Sequence, residues 1–231
     1  MSDYFFFIPA RAGSKGVPGK NWKKLFGKPL IEYTIDSLEN LNFKKQVVVS
    51  SDSQEVNDIC KNKGIKFSNR PFHLATDNSK IFDVLVSYYQ DINIKDDDVI
   101  FLLQPTSPFR QDIDIEKCIH IFESDFSIDT VVSFVEVGDK HPGRMYRISN
   151  SEAQPLNPSL VHAARQELDP VFLRNGAIYA FKYKNLKKGS IYGNKIFPYI
   201  MPENRSINID TNTDWLLAEL LIKNEKKINA N

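Results

Sequence analysis

Residues 5–21 read FFFIPARAGSKGVPGKN, an apolar run of strand character that continues directly into a loop rich in glycine and positive charge. Three glycines in the loop let backbone N–H groups approach an anion without obstruction by a Cβ atom. Arg11, Lys15 and Lys20 add cations that can neutralise a polyphosphate. The stretch predicts a buried strand that ends in a phosphate-binding loop, although the same composition taken alone also suits an ordinary surface loop.

Two common nucleotide-binding patterns do not fit this loop. A dinucleotide-binding fold has G-x-G-x-x-G with a helix opening directly after it, and the glycines here are spaced differently. A P-loop NTPase has G-x-x-x-x-G-K-[ST], but here Asn21 follows Lys20. The loop therefore favours neither class.

The composition is that of one globular protein. With 231 residues, of which 42% are hydrophobic, the chain can bury a substantial core, so we expect a single domain over 1–231. The 30 Lys and Arg nearly balance the 29 Asp and Glu, which argues against a nucleic-acid or membrane-surface binder. No apolar run has the length of a membrane span, and residues 1–4 lack the basic region of a signal peptide. We expect a cytoplasmic protein in which Cys60 and Cys118 are reduced thiols.

Short apolar runs alternate with amphipathic stretches along the first 140 residues, roughly, which is typical of a mostly parallel sheet covered by helices on both faces. The predicted fold is therefore a three-layer α/β/α, Rossmann-like one. The predicted strands are 4–9, 46–50, 65–68, 99–103 and 130–137, and the predicted helices are 30–41, 54–63, 79–90 and 113–123. In such sheets ligands bind beyond the carboxyl ends of the strands, where we expect loops 10–21, 51–53 and 104–110 to converge.

The pattern changes after residue 137. Residues 138–169 are rich in proline and polar side chains and too irregular for another strand–helix unit, so we expect an inserted arm that packs on a partner. Further strands are predicted at 172–181 and 196–201. A closing amphipathic helix is predicted at 214–226, with Thr211 or Thr213 as its N-cap.

Five separated segments together resemble the CMP-sialic acid synthetases, or acylneuraminate cytidylyltransferases, a family that includes legionaminic and pseudaminic acid cytidylyltransferases. Their order and spacing match the family across nearly the whole chain. The segments are IPARAGSKGVPGKN at 8–21, RPFHLATD at 70–77, LLQPTSPFR at 102–110, RQELDPVFLRNGAIYAF at 165–181 and SINIDTNTDW at 206–215.

The resemblance implies a nucleotidyltransferase that joins CMP from CTP to the anomeric hydroxyl of a nonulosonic acid and releases pyrophosphate with the help of Mg²⁺ or Mn²⁺. It also implies a homodimer in which residues 138–169 are exchanged between protomers. The residues that it implies for CTP are Ala10, Arg11, Gly13, Ser14, Lys15, Asn21 and Arg70, with Arg11, Lys20 and Asp210 as the catalytic groups. The guanidinium of Arg70 suits the acceptors of cytosine, and its alternative is a surface cation beside Pro71.

For the sugar acceptor the resemblance implies Gln104, Arg165, Asn175, Tyr179 and Tyr192. Asn175 and Tyr179 are four apart in a predicted strand, which places them on one face. The alternative for Gln104 is a turn residue before Pro105, with the hydroxyls of Thr106 and Ser107 capping the next helix. The alternative for Arg165 is an interfacial salt bridge.

The metal site departs from the family pattern. Many members have two aspartates separated by one residue, whereas this chain has Asn208 and Asp210. An amide oxygen can still ligate Mg²⁺ or hold a coordinated water, so we expect Asp210 as the main ligand, with Asn208 beside it. Asp214 is expected to cap the closing helix rather than to bind metal.

Two alternative functions remain open from the sequence. One is another sugar nucleotidyltransferase, which accepts Kdo or a sugar 1-phosphate. The other is a nucleotide-binding regulator that lost turnover when Asn208 replaced a carboxylate. The sequence decides neither which nonulosonic acid is the acceptor nor which group is the general base.

Overall fold

The computed structural model describes residues 2–41 and 46–228, with a central sheet of seven strands in the order β11-β7-β10-β6-β1-β4-β5 and two small two-stranded sheets. The strands are β1 (Tyr4–Pro9), β2 (Lys24–Leu25), β3 (Lys28–Pro29), β4 (Gln46–Ser51), β5 (Lys66–Asn69), β6 (Val99–Leu102), β7 (Thr130–Glu136), β8 (Tyr146–Ser149), β9 (Glu152–Pro155), β10 (Phe172–Lys182) and β11 (Ile196–Ile200). The helices are α1 (Leu30–Asp36), α2 (Gln54–Lys63), α3 (Ile81–Tyr89), α4 (Asp112–Ser124), α5 (Lys184–Lys187) and α6 (Asn212–Ile228).

The central sheet is mixed but mostly parallel. Strand β1 pairs in parallel with β4 and β6, β4 with β5, and β11 with β7, whereas β10 runs antiparallel to both β6 and β7. The predicted α/β class is confirmed in this form. The antiparallel β10 was not predicted, because an apolar run reads the same in either direction.

Strand β1 has the predicted bounds and lies in the middle of the sheet. Phe6 and Ile8 belong to the core on one face, while Phe5 and Phe7 belong to the core on the other face. Because both faces are buried, every residue between the strand ends is apolar, which is why this run reads so clearly in the sequence.

Helices cover both faces of the sheet. Helices α1, α2 and α4 contribute buried residues to the first core, and α3 and α5 contribute to the second. Helix α2 has the predicted bounds because a capping residue stands at each of its ends. Ser53 caps it by accepting from the N–H of Val56, and Gly64 ends it with φ of 65°.

Helix α1 ends at Asp36, five residues before the predicted end. The hydroxyl of Ser37 donates to the carbonyl of Thr34 at 2.8 Å, and the N–H of Leu38 turns to the carbonyl of Ile35 at 3.0 Å. The chain therefore continues in tighter turns that still bury Leu38 and Leu41 in the first core. Buried apolar residues thus continue to Leu41 as predicted, but the helix itself ends at Asp36.

Residues 138–169 contain a hairpin of β8 and β9 and several short 3₁₀ turns, separate from the central sheet. The hairpin was not predicted. Its two turn residues, Asn150 and Ser151, have φ of 49° and 65°, as a tight hairpin turn demands. Large side chains of this segment, such as those of Ile148 and Leu156, are exposed.

Two smaller expectations concern cysteines and membrane spans. Cys60 and Cys118 are both free and buried, as expected, and burial raises the pKa of the Cys60 thiol to about 11. Among residues 2–41 and 46–228, no helix combines the length and apolar character needed to cross a bilayer.

Candidate active site

A cavity of about 450 Å³ lies where β1 and β6 end, in agreement with the predicted convergence of loops 10–21 and 104–110. Nine of the residues predicted to bind substrates or metal line it, namely Arg11, Ser14, Lys15, Lys20, Asn21, Arg70, Gln104, Asn208 and Asp210. Ala10 and Gly13 belong to the same loop but lie outside the lining. Four residues predicted for the acceptor also lie outside it, namely Arg165, Asn175, Tyr179 and Tyr192.

The glycine loop is held from behind by the end of β4. The hydroxyl of Ser51 donates to the carbonyl of Ala10 at 2.5 Å, and Asp52 accepts from the N–H of Ala12 at 2.7 Å. Within the loop, the amide of Asn21 donates to the carbonyl of Arg11 at 2.8 Å. These bonds fix the backbone of the glycine loop beside the cavity. Residues 51–53 therefore support that loop and do not line the cavity themselves.

Gly16 lies directly against the backbone of Asp210. A Cβ atom built on Gly16 would come within 1.9 Å of the Asp210 carbonyl oxygen, which is far inside van der Waals contact. Only glycine therefore allows the loop near the N-terminus to touch this C-terminal segment. Gly16 is therefore required by close packing within the chain, a reason separate from the approach of an anion that the sequence suggested.

The ammonium of Lys20 bridges the two segments. It donates to the carbonyl of Ile209 at 2.6 Å and contacts the carboxylate of Asp210 at 3.1 Å. The Lys20 side chain is 11% exposed and that of Asp210 is 64% exposed. The structure therefore brings the predicted cation and the predicted acid together in one cavity, with the cation held in place and the acid open to solvent.

Asn208 also lines the cavity, and its two amide atoms differ in their hydrogen bonding. Its amide nitrogen donates to Asp210 at 2.5 Å. Its amide oxygen is buried and has no hydrogen-bond partner among the described residues. A buried acceptor without a donor is costly unless a ligand, a water or an ion satisfies it.

Asp214 caps helix α6, as expected. Its carboxylate accepts from the N–H of Asp210 at 3.0 Å and from the N–H of Thr211 at 2.8 Å. The helix begins at Asn212, and the Thr211 hydroxyl accepts from the N–H of Asp214 at 3.2 Å. Thr211 is therefore the N-cap, and Thr213 lies inside the helix.

Arg70 is a second buried cation that lines the cavity, besides Lys20. It donates to the carbonyl of Ser50 at 2.8 Å and to the Ser50 hydroxyl at 3.3 Å, and it is 6% exposed. Burial lowers the pKa of the guanidinium to about 10, so Arg70 stays charged at neutral pH. The alternative interpretation of Arg70 as a surface cation is wrong. Arg70 follows the edge strand β5, but its side chain is buried against Ser50 of the neighbouring strand β4.

Asp77 is a site residue that sequence reasoning missed. Its two carboxylate oxygens contact Arg11 at 2.6 Å and Lys15 at 2.9 Å. The hydrogen bonds from Lys15 and then Arg11 lower the pKa of this carboxyl. Asp77 could have been found from the sequence, because it is the last residue of the RPFHLATD segment. Of that segment, only Arg70 was assigned a role.

The prediction that Asn175 and Tyr179 share one face of a strand is wrong. Strand β10 is irregular between Arg174 and Tyr179, and Gly176 has φ of 79°. A bulge at this glycine shifts the alternation of side chains. Asn175 is buried on the side of the first core, bonded to Ser133 and Ser206, while Tyr179 packs in the second core.

Gln104 lines the cavity, but its neighbours do not cap a helix as predicted. Helix α4 begins at Asp112 with Gln111 as its N-cap, so the hydroxyls of Thr106 and Ser107 lie too early in the chain. The buried Arg110 instead fastens this loop, donating to the carbonyl of Ala177 at 2.7 Å and to that of Gln104 at 3.4 Å.

The remaining acceptor candidates lie elsewhere on the protomer. Arg165 is 68% exposed on the segment 138–169 and contacts Asp139 at 3.4 Å. Tyr192 contacts the guanidinium of Arg174. Within one protomer the structure brings neither residue into the cavity with Lys20.

Comparisons with known proteins place the chain in a family. A family model described as cytidylyltransferase matches residues 5–195. An N-acylneuraminate cytidylyltransferase of Streptococcus agalactiae serotype III is 37% identical over 213 residues, covering 90% of this chain and 51% of that protein. A CMP-N,N'-diacetyllegionaminic acid synthase of Legionella pneumophila is 33% identical over 228 residues, covering 94% of both chains. The chain thus spans about half the length of the streptococcal relative.

The fold also matches a solved structure. The structure of a CMP:2-keto-3-deoxy-manno-octonic acid synthetase complexed with CTP superimposes with a TM-score of 0.73, covering 97% of this chain and 100% of that one. The two sequences are 18% identical, so the likeness is one of fold.

Proposed function

The chain belongs to the cytidylyltransferase family, and on that premise we propose that it transfers CMP from CTP to the anomeric hydroxyl of a nonulosonic acid, with release of pyrophosphate. The observation that carries the proposal is the contact between Lys20 and Asp210 at 3.1 Å inside the cavity that Arg70 also lines. A fixed cation for the phosphates thereby meets an open carboxylate and a buried guanidinium in one site.

The nucleotide is proposed to lie along the glycine loop. Within the described residues, Lys20 uses two of its three N–H groups on Ile209 and Asp210, which leaves the third for a phosphate oxygen. Arg11, Lys15 and the loop N–H groups near Ser14 would surround the triphosphate, backed by Ala10 and Gly13. Arg70 would bind the acceptors of cytosine, with Asn21 near the ribose.

A divalent cation fits the residues present. The unsatisfied amide oxygen of Asn208 and the exposed carboxylate of Asp210 are oxygen ligands of the type that Mg²⁺ prefers. No group of three or more His, Cys, Asp or Glu side chains gathers for a metal in 2–41 and 46–228, which suits an ion that takes its other ligands from phosphates and water. Mg²⁺ or Mn²⁺ held by Asp210 and Asn208 would neutralise charge on the reacting phosphates.

The chemistry needs alignment more than covalent help. The anomeric oxygen forms a bond to the α-phosphorus, the bond from that phosphorus to the bridging oxygen breaks, and pyrophosphate leaves with the electron pair. Lys20 and Arg11 would stabilise the negative charge that develops on the phosphate oxygens. As the new bond forms, the hydroxyl passes its proton to a nearby carboxylate or to solvent water.

The acceptor is proposed to bind beside Gln104, at the open end of the cavity. Asn175 is buried and would support this end from behind rather than contact the acceptor, while its neighbour Gly176 lies close to Gln104 and Asn208. Tyr179 and Tyr192, which the family resemblance implies, would then lie at the outer wall. Neuraminic and legionaminic acids are favoured as acceptors because the relatives at 37% and 33% identity are named for them.

A homodimer is part of the proposal. The segment 138–169 leaves Tyr146, Ile148 and Leu156 at least 48% exposed. Tyr146 and Ile148 are two apart on β8 and so share one face of the hairpin, and an exposed apolar patch of this kind marks a protein interaction site. Arg165, on the same segment, would then reach the acceptor from the arm of a second copy of the chain. A cytoplasmic location is also proposed, because free thiols such as that of Cys60 suit a reducing compartment.

A parallel assay tests the proposed function. The protein is incubated with CTP, Mg²⁺ and neuraminic, legionaminic or pseudaminic acid in separate reactions, and pyrophosphate release is measured. We expect turnover with one of the first two acids and at least about tenfold less with the others, since pocket contacts are worth about 1–3 kcal/mol each. Turnover of Kdo or of a hexose 1-phosphate, with none of the three acids, would contradict the proposal.

Asn208→Asp is expected to lower the Mg²⁺ concentration needed for half-maximal activity about threefold to tenfold, because a second carboxylate strengthens a site for a hard cation. Asn204→Asp is the matched control, since it adds the same charge at an exposed position nearby. An unchanged Mg²⁺ requirement in Asn208→Asp would show that residue 208 does not hold the ion. Tight CTP binding without turnover in either form would favour the regulator instead.

A further inference from the structure

The cations of the cavity fall into two groups. Lys20 is buried and is tied to a backbone carbonyl as well as to Asp210. Arg11 and Lys15 are more open, with side chains that are 32% and 79% exposed. Both of them contact the same carboxylate, that of Asp77, one through each oxygen. Lys20 is therefore fixed by the fold. Arg11 and Lys15 instead share one exposed ion-pair partner among the described residues, Asp77.

The carboxylate of Asp77 occupies the cations that a polyphosphate would need. A carboxylate that spans two cations has the charge and the pair of acceptor oxygens that a phosphoryl group offers. Arg11 and Lys15 both line the cavity, so a phosphate that enters the cavity competes with Asp77 for the same donors. Without such a ligand, Asp77 keeps two like charges together that would otherwise repel each other.

Asp77 belongs to a turn that also reaches the cavity. The N–H of Thr76 donates to the hydroxyl of Ser79 at 3.1 Å, and that hydroxyl donates to the carbonyl of His73 at 3.1 Å. Thr76 and Ser79 line the cavity on either side of Asp77. The carboxylate thus projects from a hydrogen-bonded turn, while the longer side chains of Arg11 and Lys15 reach it from the glycine loop.

We propose that Asp77 is an internal counterion that holds Arg11 and Lys15 until a polyphosphate replaces it, and that takes both cations back when pyrophosphate leaves. The inference rests on the proposed function for the identity of the polyphosphate as CTP and pyrophosphate. Asp77 is then a positioning residue that limits how tightly the product pyrophosphate is retained.

Calorimetry with inorganic pyrophosphate and with CTP tests the role of Asp77. Asp77→Asn is expected to bind both ligands about threefold to tenfold more tightly than the original chain, because neither ligand then has to displace an exposed carboxylate from Arg11 and Lys15. The gain should shrink at high salt, since exposed charges are screened. Asp91→Asn is the control, because it removes the same charge from an exposed position outside the cavity and should change neither affinity.

The outcomes separate this inference from the proposed function. Equal or weaker binding of pyrophosphate by Asp77→Asn overturns the counterion role, even if the enzyme turns over a nonulosonic acid normally. Tighter binding supports it, even if none of the sugar acids is a substrate. In an active enzyme, stronger inhibition of Asp77→Asn by added pyrophosphate would be the kinetic counterpart, and a merely structural role for Asp77 would not produce it.

Discussion

Lys20→Met is expected to lower the turnover number about 100-fold to 1000-fold, the cost typical of removing one preorganised donor for developing negative charge. The Lys20 ammonium is buried, held by Ile209 and Asp210, and directed into the cavity. Methionine keeps most of the side-chain volume but removes the charge. Because Asp210 is 64% exposed, its carboxylate stays solvated without Lys20, so the loss should fall on catalysis more than on folding.

Lys24→Met is the matched control, since Lys24 is an exposed lysine on β2 of the same region and does not line the cavity. Turnover is measured by pyrophosphate release, and thermal unfolding is followed for both variants. If Lys20→Met keeps more than about a tenth of the original turnover, the proposed role of Lys20 as the main phosphate cation is wrong.

Gly16→Ala is expected to lower turnover about 100-fold, because misplacing catalytic groups by about 1 Å can cost that much. The added methyl group would lie 1.9 Å from the backbone oxygen of Asp210, where no flexible side chain can yield. The glycine loop and the segment of Asp210 must then move apart, and the contact between Lys20 and Asp210 is lost. Overpacking of this kind also costs about 1–3 kcal/mol of stability.

Gly13→Ala provides the comparison within the same loop, since among residues 2–41 and 46–228 no heavy atom beyond the adjacent residues lies within 4 Å of a Cβ atom at that position. Turnover and the free energy of unfolding in urea are measured for both variants. Similar, small effects of the two alanines would mean that the contact between Gly16 and Asp210 does not position the site.

The core of the fold was predictable because its strands are buried on both faces. Phe5, Phe6, Phe7 and Ile8 alternate between two cores, so the run is apolar throughout and its ends are marked by polar loops. Helix α2 was equally clear, since Ser53 and Gly64 supply explicit start and stop signals. In these elements, local preference and tertiary packing favour the same structure.

The errors share one physical origin. Strand β10 runs antiparallel and bulges at Gly176, and helix α1 ends early although its apolar pattern continues to Leu41. Each of these features depends on a residue distant in the chain or on a single side-chain hydrogen bond. The spacing of apolar residues along the sequence does not reveal such contacts. The same reason explains why Asn175 and Tyr179 were placed on one face.

By itself, the sequence determined the class of fold and, through the family resemblance, the presence of Lys20 and Asp210 in one cavity, while phosphate binding by loop 10–21 stays a prediction. These are properties of residue type and order. Only the tertiary structure decided that Gly16 must touch Asp210, that Arg70 is buried and that Asp77 holds Arg11 and Lys15. The contacts of Gly16 and Asp77 join positions roughly 60 to 190 residues apart, and close packing and charge pairing depend on distance in space, which the linear order of residues does not contain.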